Sequence, residues 1–219
     1  MNDSTEIRIT KRDYEFAIVA GLLIGFLLLP VLKTAKPDLY AKFAIAIVPF
    51  FFLATPLGLR IAFMLGKKIA IIYQIAKFGL IGVLNTLVDL GVLALVTLLF
   101  SAYLQIESTS ALIGTITFYS LYKSISFIVA NISSYFWNKY WTFNQGEKKQ
   151  TKGEFLQFFA VSMLGFLINV FVASFVFKTI LGSMTTLNAG QLGLIGAAAG
   201  SVAGLAWNFI GYKLWVFKK

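Results

Sequence analysis

The sequence predicts an all-α integral membrane protein of six transmembrane helices, the last four forming two parallel two-helix repeats. Three observations lead there. Hydrophobic residues make up 58% of the 219-residue chain and charged residues only 13%, against about 25% charged in a soluble domain. So little polar surface does not cover a water-soluble particle. Six apolar stretches reach the roughly 20 residues needed to cross about 30 Å of hydrocarbon. Finally, two pairs of those stretches carry matching residues at constant offsets.

The segment Met1 to Tyr14 is polar and mixed in charge. The apolar run after it is long enough to span, so it reads as a first helix rather than a cleaved leader. The six spans fall at roughly 15–33, 42–65, 76–100, 118–141, 155–178 and 189–215. Short polar connectors separate them, such as Lys33 to Asp38 and Asn144 to Gln150. Pro49 and Pro56 predict a kinked or locally unwound second span. The connector from Tyr103 to Thr117 is apolar yet rich in Ser and Thr, and its structure is the least specified.

Charge sets the orientation. Of the 19 Lys and Arg, fourteen fall on one side, four (Lys33, Lys36, Lys42, Lys178) on the other, and Lys123 on neither. The positive-inside rule then places both termini of this multi-pass chain in the cytoplasm. The net charge of +10 is spread over short interhelical clusters, which fits anionic headgroups rather than nucleic acid. The chain has no cysteine and no histidine. That removes disulfides, Cys and His metal ligands and His general bases, so neither a metal site nor a cofactor is expected; the loops are too short for a soluble catalytic domain, and the chain does not read as an enzyme.

The repeat is visible in the residues. KFGLIGVLNTLVDLGVLALV at 77–96 aligns with QFFAVSMLGFLINVFVASFV at 157–176, matching Phe78 to Phe158, Leu84 to Leu164, Leu87 to Leu167 and Asp89 to Asn169. Gly82, Asn85 and Asp89 form one helical stripe, and Ser162, Gly165 and Asn169 form its counterpart. The helices that follow also rhyme: SSYFWNKYWTF at 133–143 parallels WNFIGYKLWVF at 207–217, pairing Lys139 with Lys213, Trp141 with Trp215 and Phe143 with Phe217. Each two-helix copy returns the chain to its starting side, so the copies run parallel, as in many transport proteins.

KFGLIGVLNTLVDLGV, ANISSYFWNKYWTF, FLQFFAVSMLGFLIN and WNFIGYKLWVF together resemble the GtrA-like membrane proteins, with Asn138-Lys139-x-Trp141-Thr142-Phe143 the most specific piece. The resemblance covers roughly residues 76–217. That family usually has four helices, so residues 1–70 read as an N-terminal segment with two additional spans. Residues 71–219 read as the four-helix domain, with repeat one at about 76–143 and repeat two at about 155–217. The resemblance implies translocation, or flipping, of a polyprenyl-phosphate-linked monosaccharide across the cytoplasmic membrane for envelope glycans. The partners it implies are the lipid-linked sugar and membrane lipids; a glycosyltransferase would be a partner under the anchor reading below.

Asp89 is the most informative residue. At about 1.5 Å per residue it lies roughly 18 Å beyond Lys77, and a carboxylate at that depth costs several kcal/mol unless partnered or wetted. By the same count Lys123 lies roughly 27 Å from the cytoplasmic end of the fourth span, about 9 Å from Asp89 in depth, a gap a lysine stem closes by snorkelling. An Asp89–Lys123 pair is therefore expected; the plainer alternative has Lys123 reaching outer headgroups. Asn131, Ser134 and Asn138 share one face of the fourth helix, lining a sugar passage or gluing helices. With Asn85 on the third helix, Asn169 on the fifth and Asn208 on the last, they complete the polar translocation candidates.

Lys77, Lys139 and Lys213 are phosphate-binding candidates at headgroup depth, with Trp141 and Trp215 beside the latter two; an ordinary aromatic belt over positive-inside lysines is the alternative. Gly196, Gly200 and Gly204 make a small-residue ridge for packing within a subunit or across a homodimer, and Gly21 and Gly25 do the same in the first span. No G-x-x-x-x-G-K-[ST] motif is present, so movement would follow the substrate gradient or an ion. Two other readings stay open: a small ion-coupled multidrug exporter built on Asp89, and a non-transporting anchor for a glycosyltransferase.

Overall fold

The computed structural model describes residues 8–67, 69–145, 153–180 and 189–218. Six helices occupy them in chain order: α1 Lys11–Ala35, α2 Pro37–Gly66, α3 Ala70–Leu104, α4 Phe118–Trp137, α5 Glu154–Phe175 and α6 Ala189–Gly211. Five are long and apolar enough to cross a membrane. The sixth, α4, is only 20 residues long and carries Ser, Tyr, Asn and Lys along its length. It continues directly into a five-residue π-helical segment, Asn138–Thr142, which lengthens it toward a full span.

Local chemistry explains the ends. Thr10 caps α1: its hydroxyl accepts from the Asp13 backbone N–H while the Asp13 carboxylate accepts from the Thr10 backbone N–H, a reciprocal capping box. Pro37 opens α2 at a position where a helix loses no hydrogen bond. Of the kink or local unwinding expected at Pro49 and Pro56, the unwinding does not occur: α2 stays helical through both. The Thr55 hydroxyl donates to the Phe51 carbonyl at 2.6 Å in that stretch. π-helical segments also end α5 (Val176–Ile180) and α6 (Tyr212–Val216). The two rhyming tails therefore finish alike: Phe143 N–H bonds the Asn138 carbonyl, and Phe217 N–H bonds the Tyr212 carbonyl.

One element departs from an all-helical chain. Ala111–Ile113 and Ile116–Thr117 pair as a short antiparallel hairpin, β1 and β2, turning through Gly114 at φ +58°. The Ser/Thr-rich connector thus satisfies its backbone through a ladder where no helix forms.

By packing, the chain divides into residues 1–144 and 145–219. In the first unit α1 packs on α2 and α3, and α3 packs on α4. Its core joins Ala17, Ala20 and Ile24 of α1 to Leu59, Tyr73, Ile81, Leu84, Leu87 and Trp141. Gly21 and Gly25 bring α1 against α2: a Cβ at Gly25 would stand 2.9 Å from the Val48 Cα. In the second unit α5 packs on α6 through Gly196 and Gly204, whose added Cβ atoms would each stand 2.8 Å from a backbone oxygen of α5. The remaining faces carry large apolar side chains outward, such as Ile45 at 95% exposure, as lipid-facing helices do.

Candidate functional site: a polar seam between α3 and α4

The pairing expected of Asp89 is present. Lys123 of α4 forms an ion pair with one oxygen of the Asp89 carboxylate on α3. The Ser126 hydroxyl, one turn further along α4, donates to the other oxygen at 2.6 Å. Both carboxylate oxygens are thus engaged from α4. The Asp89 side chain is 20% exposed and Lys123 41%, so the pair sits on the edge of the helix interface, open on one side. Ser126 was not among the sequence candidates, because a lone mid-helix serine gives no pattern; its place one turn from Lys123 was the only available signal.

At the opposite end of the same helix pair, Gln74 of α3 donates to the Thr142 carbonyl at 3.3 Å. The two contacts fix an antiparallel register between α3 and α4. Stepping along it sets Asn85 at the level of Asn131, with Ser134 and Asn138 one and two turns nearer the terminal end. Asn131 Nδ2 donates to the Phe127 carbonyl at 2.9 Å, and Asn138 Nδ2 donates to the Ser134 carbonyl at 2.9 Å. Both amides therefore spend a donor on their own helix. The buried Asn85 Oδ1, Asn138 Oδ1 and Thr142 Oγ1 have no hydrogen-bond partner among the described residues. Buried acceptors are normally satisfied, and leaving one unmade costs about 1–3 kcal/mol. Two amide oxygens and one hydroxyl, the last able both to donate and to accept, are thus left unspent at these positions of α3, α4 and its tail.

At the terminal end the structure gathers a second charged node. Lys77 of α3 pairs with Asp13 of α1, and Trp141 Nε1 donates to the same carboxylate oxygen at 3.1 Å. The other oxygen accepts from Thr10 N at 3.0 Å and Thr10 Oγ1 at 2.9 Å. The ammonium lies 4.4 Å from the Tyr73 ring centre and 5.7 Å from that of Trp141. Phe16 stacks on Trp141 at 5.7 Å, and Arg12 donates to the Tyr140 carbonyl at 2.9 Å. Lys77 is buried, at 8% exposure, instead of open to headgroups as its interfacial position suggested. Asp13 escaped the sequence reading because charge is unremarkable in a polar N-terminal segment. The Thr10-x-x-Asp13 cap was the legible trace of it.

Lys139 is 1% exposed. Its ammonium donates to the Tyr135 hydroxyl at 3.3 Å and lies 5.6 Å from that ring. Lys213 is only part-buried and lies 5.6 Å from the Phe209 ring one turn before it. The two tryptophans diverge: Trp141 is buried, whereas Trp215 is half exposed and packs edge-on against Trp207 at 5.3 Å. Asn169 and Asn208 lie on the α5–α6 contact. A Cβ at Gly200 would meet Asn169 Oδ1 at 2.7 Å, and one at Gly165 would meet the Asn208 Cγ at 2.7 Å. Ser162 and Tyr212 hydroxyls bond at 2.6 Å across the same pair, and Trp207 Nε1 donates to the Val161 carbonyl at 3.2 Å.

Residues 77–217 match the GtrA/DPMS transmembrane domain, a stretch that runs from the second turn of α3 onward through α6 and leaves α1 and α2 outside. The chain is also similar to the uncharacterized membrane protein YngA of Bacillus subtilis (strain 168): 29% identity over 146 residues, covering 67% of this chain and 80% of that one. No solved structure matches the chain significantly.

Proposed function

The chain belongs to the GtrA/DPMS transmembrane family, and on that premise we propose that it flips a polyprenyl-phosphate-linked monosaccharide across the cytoplasmic membrane, with both termini in the cytoplasm. The observation that carries this reading is the α3–α4 seam. It has a half-open ion pair, Asp89–Lys123, at one end and unspent buried acceptors, Asn85 Oδ1, Asn138 Oδ1 and Thr142 Oγ1, along its length.

A sugar is a cluster of hydroxyl donors that has to be carried through hydrocarbon. Acceptors within the helix interface replace its lost water, while the polyprenyl tail stays in lipid. Asp89 adds a charged acceptor with one face open, and Lys123 holds its charge in balance. The phosphate, an anion at headgroup depth, is received at the terminal end of the seam, where Lys77 lies. The sugar is then available on the outer face for envelope glycan assembly.

The test is translocation of a polyprenyl-phosphate monosaccharide in proteoliposomes. Asp89→Ala and Lys123→Ala should each slow flipping about tenfold or more, since a coupling of about 1.4 kcal/mol across such a pair already corresponds to tenfold. The swapped variant Asp89→Lys/Lys123→Asp should recover most of the loss. A folded wild-type chain that flips no lipid-linked sugar, across several sugars, would overturn the reading in favour of a glycosyltransferase anchor.

A further inference from the structure

Lys77 and Trp141 lie inside the family region, while the carboxylate they share comes from outside it. Two donors, one on α3 and one on the π-helical tail of α4, converge on a single oxygen of Asp13. A buried ammonium flanked by two aromatic rings needs an anion at that point. Nothing in the donor set prefers a carboxylate to a phosphate oxygen, for both accept charge-assisted bonds from Lys and from an indole N–H. The other Asp13 oxygen is held by Thr10 N and Oγ1. The carboxylate is thus built into the first turn of α1 and held there by the cap.

We propose that Lys77 and Trp141 form the seat for the phosphate group of the carrier lipid, and that Asp13 is the chain's own anion closing that seat until the lipid phosphate replaces it. The inference rests on the lipid-translocation reading and deepens it. Arg12, beside Asp13 and bonded to the Tyr140 carbonyl, ties the first turn of α1 to the tail of α4 next to the exchange point. The additional N-terminal helices thereby gate the domain they are attached to.

The test is binding of a polyprenyl phosphate to the full chain in phosphatidylcholine nanodiscs, with phosphatidylglycerol and inorganic phosphate as separate arms. Asp13→Ser removes the internal competitor. If the displaced state is about 1–10% populated in the wild type, the variant should bind polyprenyl phosphate about 10- to 100-fold tighter, and the lipid should raise its melting temperature more than it raises that of the wild type. Asp13→Lys/Lys77→Asp keeps an ion pair but puts a negative charge in the seat, so it should fold and lose binding.

A folded Asp13→Ser chain with no gain, or a swapped chain binding like the wild type, would overturn the proposal. An equal gain with phosphatidylglycerol or with inorganic phosphate alone would overturn the polyprenyl assignment. Failure of both variants to fold would also overturn it, because a seat that cannot open without unfolding cannot exchange its anion. Wild-type flipping without a gain in Asp13→Ser sinks the seat alone. A gain without flipping supports the seat and sinks the translocation reading.

Discussion

Replacing Lys77 with methionine is expected to lower stability by about 3–5 kcal/mol and to loosen α1 from α3, because it leaves the Asp13 carboxylate buried without its cation. Both side chains are nearly enclosed, at 11% exposure for Lys77 and 9% for Asp13, so solvent screening does little for the survivor. Trp141 Nε1 and Thr10 still donate to the carboxylate, which moderates the loss without neutralising the charge. Adding Asp13→Asn to Lys77→Met removes that charge and should recover most of the stability.

Thermal unfolding in detergent reads the first quantity. The second can be read by thiol labelling at Ala20→Cys, since Ala20 lies on the fully buried face of α1 and the chain has no cysteine of its own. Rapid labelling only in the Lys77→Met background is the expected result. A Lys77→Met chain that melts with the wild type would show that the pair contributes nothing to docking α1.

That node also shows where sequence reasoning stops. The helices were legible because hydrocarbon thickness imposes a length and lipid imposes a composition, and both act on contiguous residues. Depth was legible for the same reason: counting residues along α3 and α4 put Asp89 and Lys123 within reach of each other before any contact was known. Partners that depend on how helices dock were not. Asp13 meets Lys77 across 64 positions, and no periodicity in either helix encodes that. Lys139 illustrates the limit from the other side. Its position beside Trp141 suggested a headgroup lysine, yet the π-helical turn that ends α4 lies within the buried interior, and Lys139 is enclosed with it. π-helical turns leave no compositional trace of their own, though they recur at functional sites. The β1–β2 hairpin escaped for a simpler reason: five strand residues around one glycine are too few for a pattern.

The glycines of this chain should divide into two groups under one and the same substitution, with opposite signs. Gly200→Ala is expected to destabilise by about 1–3 kcal/mol, and Gly200→Val by more. An added Cβ there would meet Asn169 Oδ1 at 2.7 Å and the Ala173 Cβ at 2.8 Å, as well as the Asn169 carbonyl. A backbone oxygen cannot rotate aside, so α6 has to move off α5. Gly204→Ala meets the Gly165 carbonyl at 2.8 Å and should behave alike. Gly58 on α2 and Gly79 on α3 have nothing within 4 Å of an added Cβ. They line an apolar groove of about 350 Å³ between those helices. Alanine there removes backbone freedom from the unfolded chain without a clash, and is expected to stabilise by up to about 1 kcal/mol. Thermal unfolding of the four single variants side by side decides it. If all four shifted in the same direction, helix propensity would govern these positions, and the close approach of α6 to α5 would not be what selects glycine in the ridge.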